Sequence, residues 1–296
     1  MERLPFRLPD FVRVAWVSAT ARKIWEPRFR SVSDVLFTLQ WASVRSGHRK
    51  CCKLVVPSGE FYERFTAELS SEGISCEPVQ QLPEASYHVG ATPAGPGERH
   101  HVLVAIGHRR DAQLLRDALR TADIDTELSL LGAHECCRSA FVTMWRDARF
   151  IDFTWPIAAR TVGMPTPTRT IEIEHPSLAS SLWKWVGIRM LFTTPCRFNC
   201  PTAIQSADEI ARLGNELGHG QEIEWAREIL TWPVEWSALH GIAEIRTPVC
   251  KIIAATDATP TKYTIRVHGG RLPSEGVTGL SFPYSKSSQR ELKILQ

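Results

Sequence analysis

The stretch His101-Val102-Leu103-Val104-Ala105-Ile106-Gly107 is the clearest structural signal in the chain. A short unbroken apolar run that ends at a glycine is typical of a buried β-strand. The residues that follow, from Asp111 to Ala122, have the spacing of an amphipathic helix. This strand–glycine–helix unit predicts an α/β fold.

The chain before this unit has the same character. Its predicted elements are strands over 11–17, 54–56 and 87–89, and helices over 32–44 and 61–69. The breaker-rich stretch 91–97 (Ala-Thr-Pro-Ala-Gly-Pro-Gly) predicts a long loop or a boundary. We therefore expect an N-terminal α/β subdomain over 1–95 with a short sheet.

The chain after residue 95 is predicted to be more helical. Its predicted elements are helices over 136–149, 201–217 and 223–232, and strands over 242–254 and 263–267. The two strands would pair as a C-terminal hairpin across 257–261. We expect a cysteine-containing, metal-binding α/β subdomain over 96–268, followed by a tail over 269–296 that is rich in Gly, Ser, Lys and Arg.

The bulk composition excludes some classes of function. The chain has 296 residues, of which 43% are hydrophobic and 23% charged, so it can bury a sizeable core. A formal charge of +3 is too small to indicate a nucleic acid or a membrane surface as the partner. There is no run of 18 apolar residues, and the N-terminus lacks the apolar core of a signal peptide. We expect a cytoplasmic protein.

Two of the cysteine pairs indicate a metal site. Eight cysteines in a reducing compartment would stay as thiols, and close pairs among them are typical of metal ligands. Cys136 and Cys137 are adjacent, and Cys196 and Cys200 are separated by three residues. Both pairs stand where a helix is predicted to begin, and a helix N-terminus stabilises the thiolate form that binds metal.

The spacing favours an iron–sulfur cluster, of the 4Fe-4S type, over other metals. Zinc sites usually space two cysteines by two residues, and we expect the side chains of adjacent cysteines to diverge from one another. A cubane accepts two such thiolates on different irons. A single zinc ion is the alternative, as is simple packing of buried thiols. Packing is the interpretation that we favour for the other cysteines: Cys51, Cys52, Cys76 and Cys250.

The segment 232–244 is dense in reactive side chains. Glu235 and His240 are candidates for acid–base catalysis, and Trp232 and Trp236 for the walls of a substrate pocket. The alternative is a loop with core tryptophans and solvated charges. Two further candidates for substrate contact stand near the predicted hairpin: Asp257 and Lys262.

The cysteine pattern resembles two groups of proteins. The stretch 131–141 (Leu-Gly-Ala-His-Glu-Cys-Cys-Arg-Ser-Ala-Phe) is similar to poorly characterised prokaryotic proteins in which paired cysteines open a helix, although Ala133 and His134 stand where those proteins usually have a proline. A cysteine pair followed far downstream by a second pair is also similar to the cysteine-rich module of heterodisulfide reductases. That resemblance covers the four cysteines alone, with different spacing, and implies an iron–sulfur cluster.

These observations lead to three hypotheses. The first is an iron–sulfur enzyme that performs redox, sulfur-transfer or Lewis-acid chemistry on a small molecule, with an electron-donor protein as a further partner. The second is a zinc-stapled, non-catalytic binding protein. The third is a cofactor-free enzyme that uses one of the paired cysteines as a thiol nucleophile.

Overall fold

The structure, a computed structural model, describes residues 1–83, 94–95, 97–163 and 168–276. The elements in chain order are β1 (Val12–Trp16), α1 (Ala19–Arg45), β2 (Cys51–Pro57), α2 (Glu60–Ser71), β3 (Ser75–Pro83), β4 (His100–Gly107), α3 (Arg109–Thr121), α4 (Ile124–Leu130), α5 (Glu135–Val142), a π-helical turn (Thr143–Asp147), α6 (Thr154–Thr161), β5 (Thr170–Ile173), a 3₁₀ turn (Lys184–Val186), α7 (Pro201–Glu216), α8 (Gly220–Leu230), β6 (Val234–Leu239), β7 (Ile242–Arg246), β8 (Cys250–Ala255) and β9 (Tyr263–Val267).

This mixture of helices and sheets confirms the predicted α/β class. The chain forms two compact units. One is Thr38–Val142, and the other joins Met1–Phe37 to Thr143–Gln296. The predicted strand at 87–89 lies outside the described residues, as does most of the breaker-rich stretch 91–97.

The unit Thr38–Val142 is built on a three-stranded antiparallel sheet with the order β2-β4-β3. Strand β4 lies in the middle, and its residues from Val102 onward are buried. Consecutive side chains point to opposite faces of a strand, so this burial covers both faces of β4 and explains why its sequence is an unbroken apolar run. The predicted strand over 101–106 and the helix after it are both confirmed.

The other unit is built on a six-stranded sheet with the order β1-β8-β7-β6-β9-β5. Its neighbouring strands are antiparallel except for β5 and β9, which run parallel. Its core includes a cluster of aromatic rings at centroid distances of 4.6 to 6.5 Å, which pack edge to face except for the tilted pair of Phe29 and Trp232: Trp25, Phe29, Trp183 and Trp232.

The predicted C-terminal hairpin is wrong in its pairing. The predicted strand over 242–254 is two strands, β7 and β8, which form a hairpin with each other. Strand β9, predicted to pair with it, lies between β6 and β5 instead. The break falls at Thr247, whose hydroxyl accepts from the backbone N–H of Cys250 at 3.0 Å, and Pro248 follows it. Proline cannot donate to a sheet ladder, so it was the available signal for this turn.

Helix α1 is the longest helix described, with 27 residues. The predicted helix over 32–44 is its second half. Its first half carries Arg22, Glu26 and Arg30, which form solvent-exposed ion pairs at i,i+4 spacing. None of the helices in the described part of the chain has the length and apolar character needed to cross a bilayer.

Candidate metal centre

The first cysteine pair lies in the first turn of α5. Helix α4 ends at Leu130, and Gly132, with a positive φ of 77°, turns the chain before the next helix begins. His134 then accepts hydrogen bonds at its carbonyl from the backbone N–H groups of Cys137 and Arg138, both at 2.9 Å. Cys136 is exposed to solvent and Cys137 is buried.

The second pair lies in the loop that leads into α7. The backbone N–H of Cys200 donates to the carbonyl of Arg197 at 3.2 Å, which closes a tight turn between the two cysteines. The backbone N–H of Phe198 donates to Thr161 Oγ1 at 2.9 Å and ties the turn to α6. Cys200 is the N-cap residue of α7. This turn, from Arg197 to Cys200, occupies the three residues between the cysteines and ends at the second one.

The structure brings these two pairs together. The Sγ atoms of Cys136, Cys137, Cys196 and Cys200, the cysteine cluster hereafter, all lie within 4.8 Å of one another. This arrangement can hold a metal ion. The central expectation from the sequence, that the two distant pairs meet in the folded chain, is confirmed.

The expectation that adjacent cysteines diverge is wrong for this chain. The Sγ atoms of Cys136 and Cys137 lie 3.9 Å apart. This distance is short enough for both sulfur atoms to bind one ion, so the argument from the sequence against a single ion no longer holds.

Three of the other cysteines are buried, as the packing prediction requires: Cys51, Cys52 and Cys250. Cys76 is half-buried. Burial raises the pKa of four thiols to about 12: Cys51, Cys52, Cys76 and Cys250. Such thiols stay protonated at neutral pH, and only a thiolate binds metal. The structure thus separates the eight cysteines into a cluster of four and four whose thiols stay protonated.

Glu235, predicted as an acid–base group, takes part in a row of charges across the sheet. It lies directly opposite Arg266 of β9 on one side and Arg246 of β7 on the other. Its carboxylate accepts from Arg266 Nε at 2.9 Å, and Arg266 also contacts Glu172 of β5 at 3.3 Å. Opposite charges facing each other across strands stabilise a sheet. Its side chain is therefore held in ion pairs that stabilise the sheet.

His240, the second predicted acid–base group, lies in the two-residue turn between β6 and β7. His240 and Gly241 both have positive φ, 51° and 85°. That pair of values is typical of the type I′ turn, which matches the twist of a hairpin. The turn gives His240 an exposed position at the tip of the hairpin.

The two tryptophans predicted to wall a pocket lie in the core. Trp232 and Trp236 each have 1% of their surface exposed. Trp232 packs against Trp25 at a centroid distance of 4.6 Å. Both indole Nε1 atoms are buried and have no hydrogen-bond partner in the described part of the chain. Both rings therefore belong to the hydrophobic core.

Asp257, predicted to contact substrate, holds part of the backbone. Its carboxylate accepts from the amides of Ile151 and Asp152 at 3.1 and 2.9 Å. Burial, with the nearby negative charge of Asp152, raises its pKa above the ordinary value. Lys262, the other predicted contact, is exposed just before β9.

A buried ion pair next to Asp257 was not predicted. Asp152 is bound by Lys184 Nζ, by the hydroxyl and the amide of Thr154, and by the hydroxyl of Thr256. Burial alone would raise the pKa of Asp152, but the ammonium of Lys184 and these hydrogen bonds hold it below the ordinary value. The available signal was Asp152-Phe153-Thr154, a spacing at which an aspartate often binds the backbone two residues on.

Comparison of the chain with protein-family models, with curated proteins and with solved structures gives no match.

Proposed function

We propose that the cysteine cluster binds one tetrahedral metal ion, zinc, and that this ion stabilises the fold of a binding protein. The observation that carries the proposal is the set of sulfur–sulfur distances. The ion would be held by four thiolates from the start of α5 and the loop before α7.

The distances match a single ion better than a cubane cluster. A zinc–sulfur bond of about 2.3 Å in a regular tetrahedron gives neighbouring sulfurs about 3.8 Å apart. The sulfurs of Cys136 and Cys137 lie 3.9 Å apart, and all four lie within 4.8 Å. The thiolates of a cubane bind separate irons on the outside of a wider body, so their sulfurs lie on the order of 6 Å apart.

The number of ligands favours a structural role for this ion. Zinc in structural sites has four protein ligands, whereas catalytic zinc keeps one position for water or substrate. Four thiolates would fill the coordination sphere. The burial of Cys137 and Cys200 further separates the site from solvent, although Cys136 stays exposed.

An iron–sulfur enzyme is the second candidate. It is supported by the position of the cysteines at two helix starts, where backbone N–H groups can hydrogen-bond cluster sulfides and tune a reduction potential. In that case the small-molecule substrate, the electron-donor protein and the acid–base roles of Glu235 and His240 stay predictions from the sequence.

Metal analysis of anaerobically purified protein distinguishes these candidates. We expect stoichiometric zinc, no acid-labile sulfide and no visible absorbance. The variant Cys200→Ala should lose the zinc. The matched control Cys250→Ala should keep it, because both side chains are buried and only Cys200 belongs to the cluster.

Other outcomes would decide against the proposal. Brown protein with iron and sulfide would establish the second candidate. Iron without sulfide would mean that the site holds a single ion and that this ion is iron, not zinc. Protein that contains no metal and binds none when titrated with zinc would contradict both candidates and favour the cofactor-free thiol enzyme.

A further inference from the structure

Strand β1 forms one edge of the six-stranded sheet and is unusually apolar for an edge. Within the described ranges, β8 pairs with one side of β1 and no strand pairs with the other. Val12 and Val14 have 44% and 39% of their surface exposed, and Val17, just beyond the strand, has 36%. Natural edge strands are usually protected by charged side chains, proline or a bulge, because an open edge pairs with other chains. The sequence Val12–Trp16 has no proline and no bulge, and its one charge is Arg13, on the face opposite Val12 and Val14.

The hydrogen-bond pattern shows which residues of β1 face outward. The backbone N–H of Val17 donates to the carbonyl of Val249, and the carbonyl of Phe11 accepts from the N–H of Ala255. In an antiparallel pair, every second residue bonds the neighbouring strand. Phe11, Arg13, Ala15 and Val17 therefore bond toward β8. The backbone groups of the remaining residues point to the open edge: Val12, Val14 and Trp16.

The same three residues share one face of the strand, since they alternate along it. On this face Val14 and Trp16 line a groove of about 410 Å³ with Phe29 and Val186, and polar or charged side chains of α1 complete its lining: Arg22, Glu26, Arg30, Ser33 and Asp34. Arg13 and Ala15 lie on the opposite face. The open edge thus offers backbone hydrogen bonds together with a row of apolar side chains.

We propose that β1 pairs antiparallel with β1 of a second copy of this chain, centred on Val14. The strand is self-complementary in this register. Val14 lies opposite the partner's Val14, and Val12 lies opposite the partner's Trp16. Arg13, the only charge in Val12–Trp16, lies opposite the partner's Ala15. Each outward-facing pair exchanges two backbone hydrogen bonds.

Charge disfavours the neighbouring register that is centred on Arg13. A pairing centred on Arg13 would also match the outward backbone groups, but it would place Arg13 directly opposite the partner's Arg13. Like charges directly opposite each other destabilise a strand pair. Because β1 has only five residues, the interface lies at the small end of stable contacts, and we expect a dimer that dissociates on dilution.

Light scattering of the 296-residue protein as purified tests the proposal. The monomer has a mass of 33.3 kDa, and we expect the mass to approach twice this value as concentration rises. Val14→Lys should weaken the dimer at least tenfold, because two ammonium groups would face each other. Val14→Glu should do the same. Mixing the two variants should restore a dimer, since the residues at 14 then carry opposite charges. The control Val162→Lys, at a site that is also 39% exposed, should leave the mass unchanged.

Hydrogen exchange locates the contact. The amides of Val12, Val14 and Trp16 should exchange more slowly in the concentrated wild type than in Val14→Lys. A wild type that stays monomeric up to its solubility limit would overturn the proposal, whatever else covers the edge. So would a dimer that survives both Val14 substitutions, or two variants that fail to associate when mixed. These outcomes are independent of the metal, which is measured separately.

Discussion

The loss of one cluster thiolate should cost more stability than the loss of a cysteine that only packs. Cys137 and Cys52 make a matched pair. Each is the second of two adjacent cysteines, and their exposed fractions are 3% and 0%. Both are replaced by alanine, and unfolding is followed in buffer with excess zinc.

The expected magnitudes differ by a factor of about four. Removing either sulfur leaves a small cavity that costs roughly 1 kcal/mol, as for deletion of a buried methylene. Groups that merely orient a metal ligand change affinity about 10- to 100-fold when mutated, so losing a ligand itself should cost at least 100-fold, or roughly 3 kcal/mol. Because metal binding to the folded state adds to its stability, Cys137→Ala should lose about 4 kcal/mol and Cys52→Ala about 1 kcal/mol.

The assay is thermal unfolding with and without a chelator. At 2–4 °C per kcal/mol, the midpoint should fall by roughly 10 °C for Cys137→Ala and by a few degrees for Cys52→Ala. The chelator should lower the midpoints of the wild type and Cys52→Ala equally, and that of Cys137→Ala much less. Equal losses of stability in the two variants, with no effect of the chelator on the wild type, would show that Cys137 holds no metal.

Three further predictions follow from the structure. Lys184→Met leaves the buried carboxylate of Asp152 without its cationic partner. The free energy of unfolding, measured with urea, should therefore fall by about 3 kcal/mol at about pH 7. This loss of stability should be smaller at about pH 5. Without the ammonium of Lys184, burial raises the pKa of Asp152, and protonation at the lower pH removes the buried charge. Gly241→Ala should cost about 1–2 kcal/mol in the same assay, because φ is 85° and the new Cβ would lie 3.2 Å from Leu8. In metal-free native protein, an alkylating reagent should modify the exposed Cys136, while mass spectrometry should find Cys250 unmodified, since burial raises its pKa to about 12.

Local signals in the sequence were sufficient for several elements and for the cysteine cluster. Strand β4 is an apolar run that ends at Gly107, and α7 begins with Pro201, so both could be placed without knowing their neighbours. The cluster could be predicted because two of the cysteine pairs stand where a helix is predicted to begin. The distances between the sulfurs, which favour a single ion, depend on side-chain directions that spacing alone does not define.

Strand partners were beyond what the sequence pattern defines. Val12 of β1 pairs with Ala254 of β8, across most of the chain. The hydrophobic effect has no preferred direction, so an apolar sequence pattern can predict a strand but cannot predict which strand lies next to it. The same difficulty explains Glu235, because its role in the sheet depends on Arg266 and Arg246 lying directly opposite. That row of charges becomes visible only once the register is known.

X-ray absorption at the edge of the bound metal counts the sulfur neighbours of the ion and shows whether a second metal atom is present. We expect a zinc spectrum with four sulfur neighbours at about 2.3 Å and no scattering from a second metal atom. Cys137→Ala should either lose the metal or replace one sulfur by a lighter atom. A spectrum with a metal–metal path, or with fewer than four sulfur neighbours in the wild type, would contradict a single ion held by the cysteine cluster.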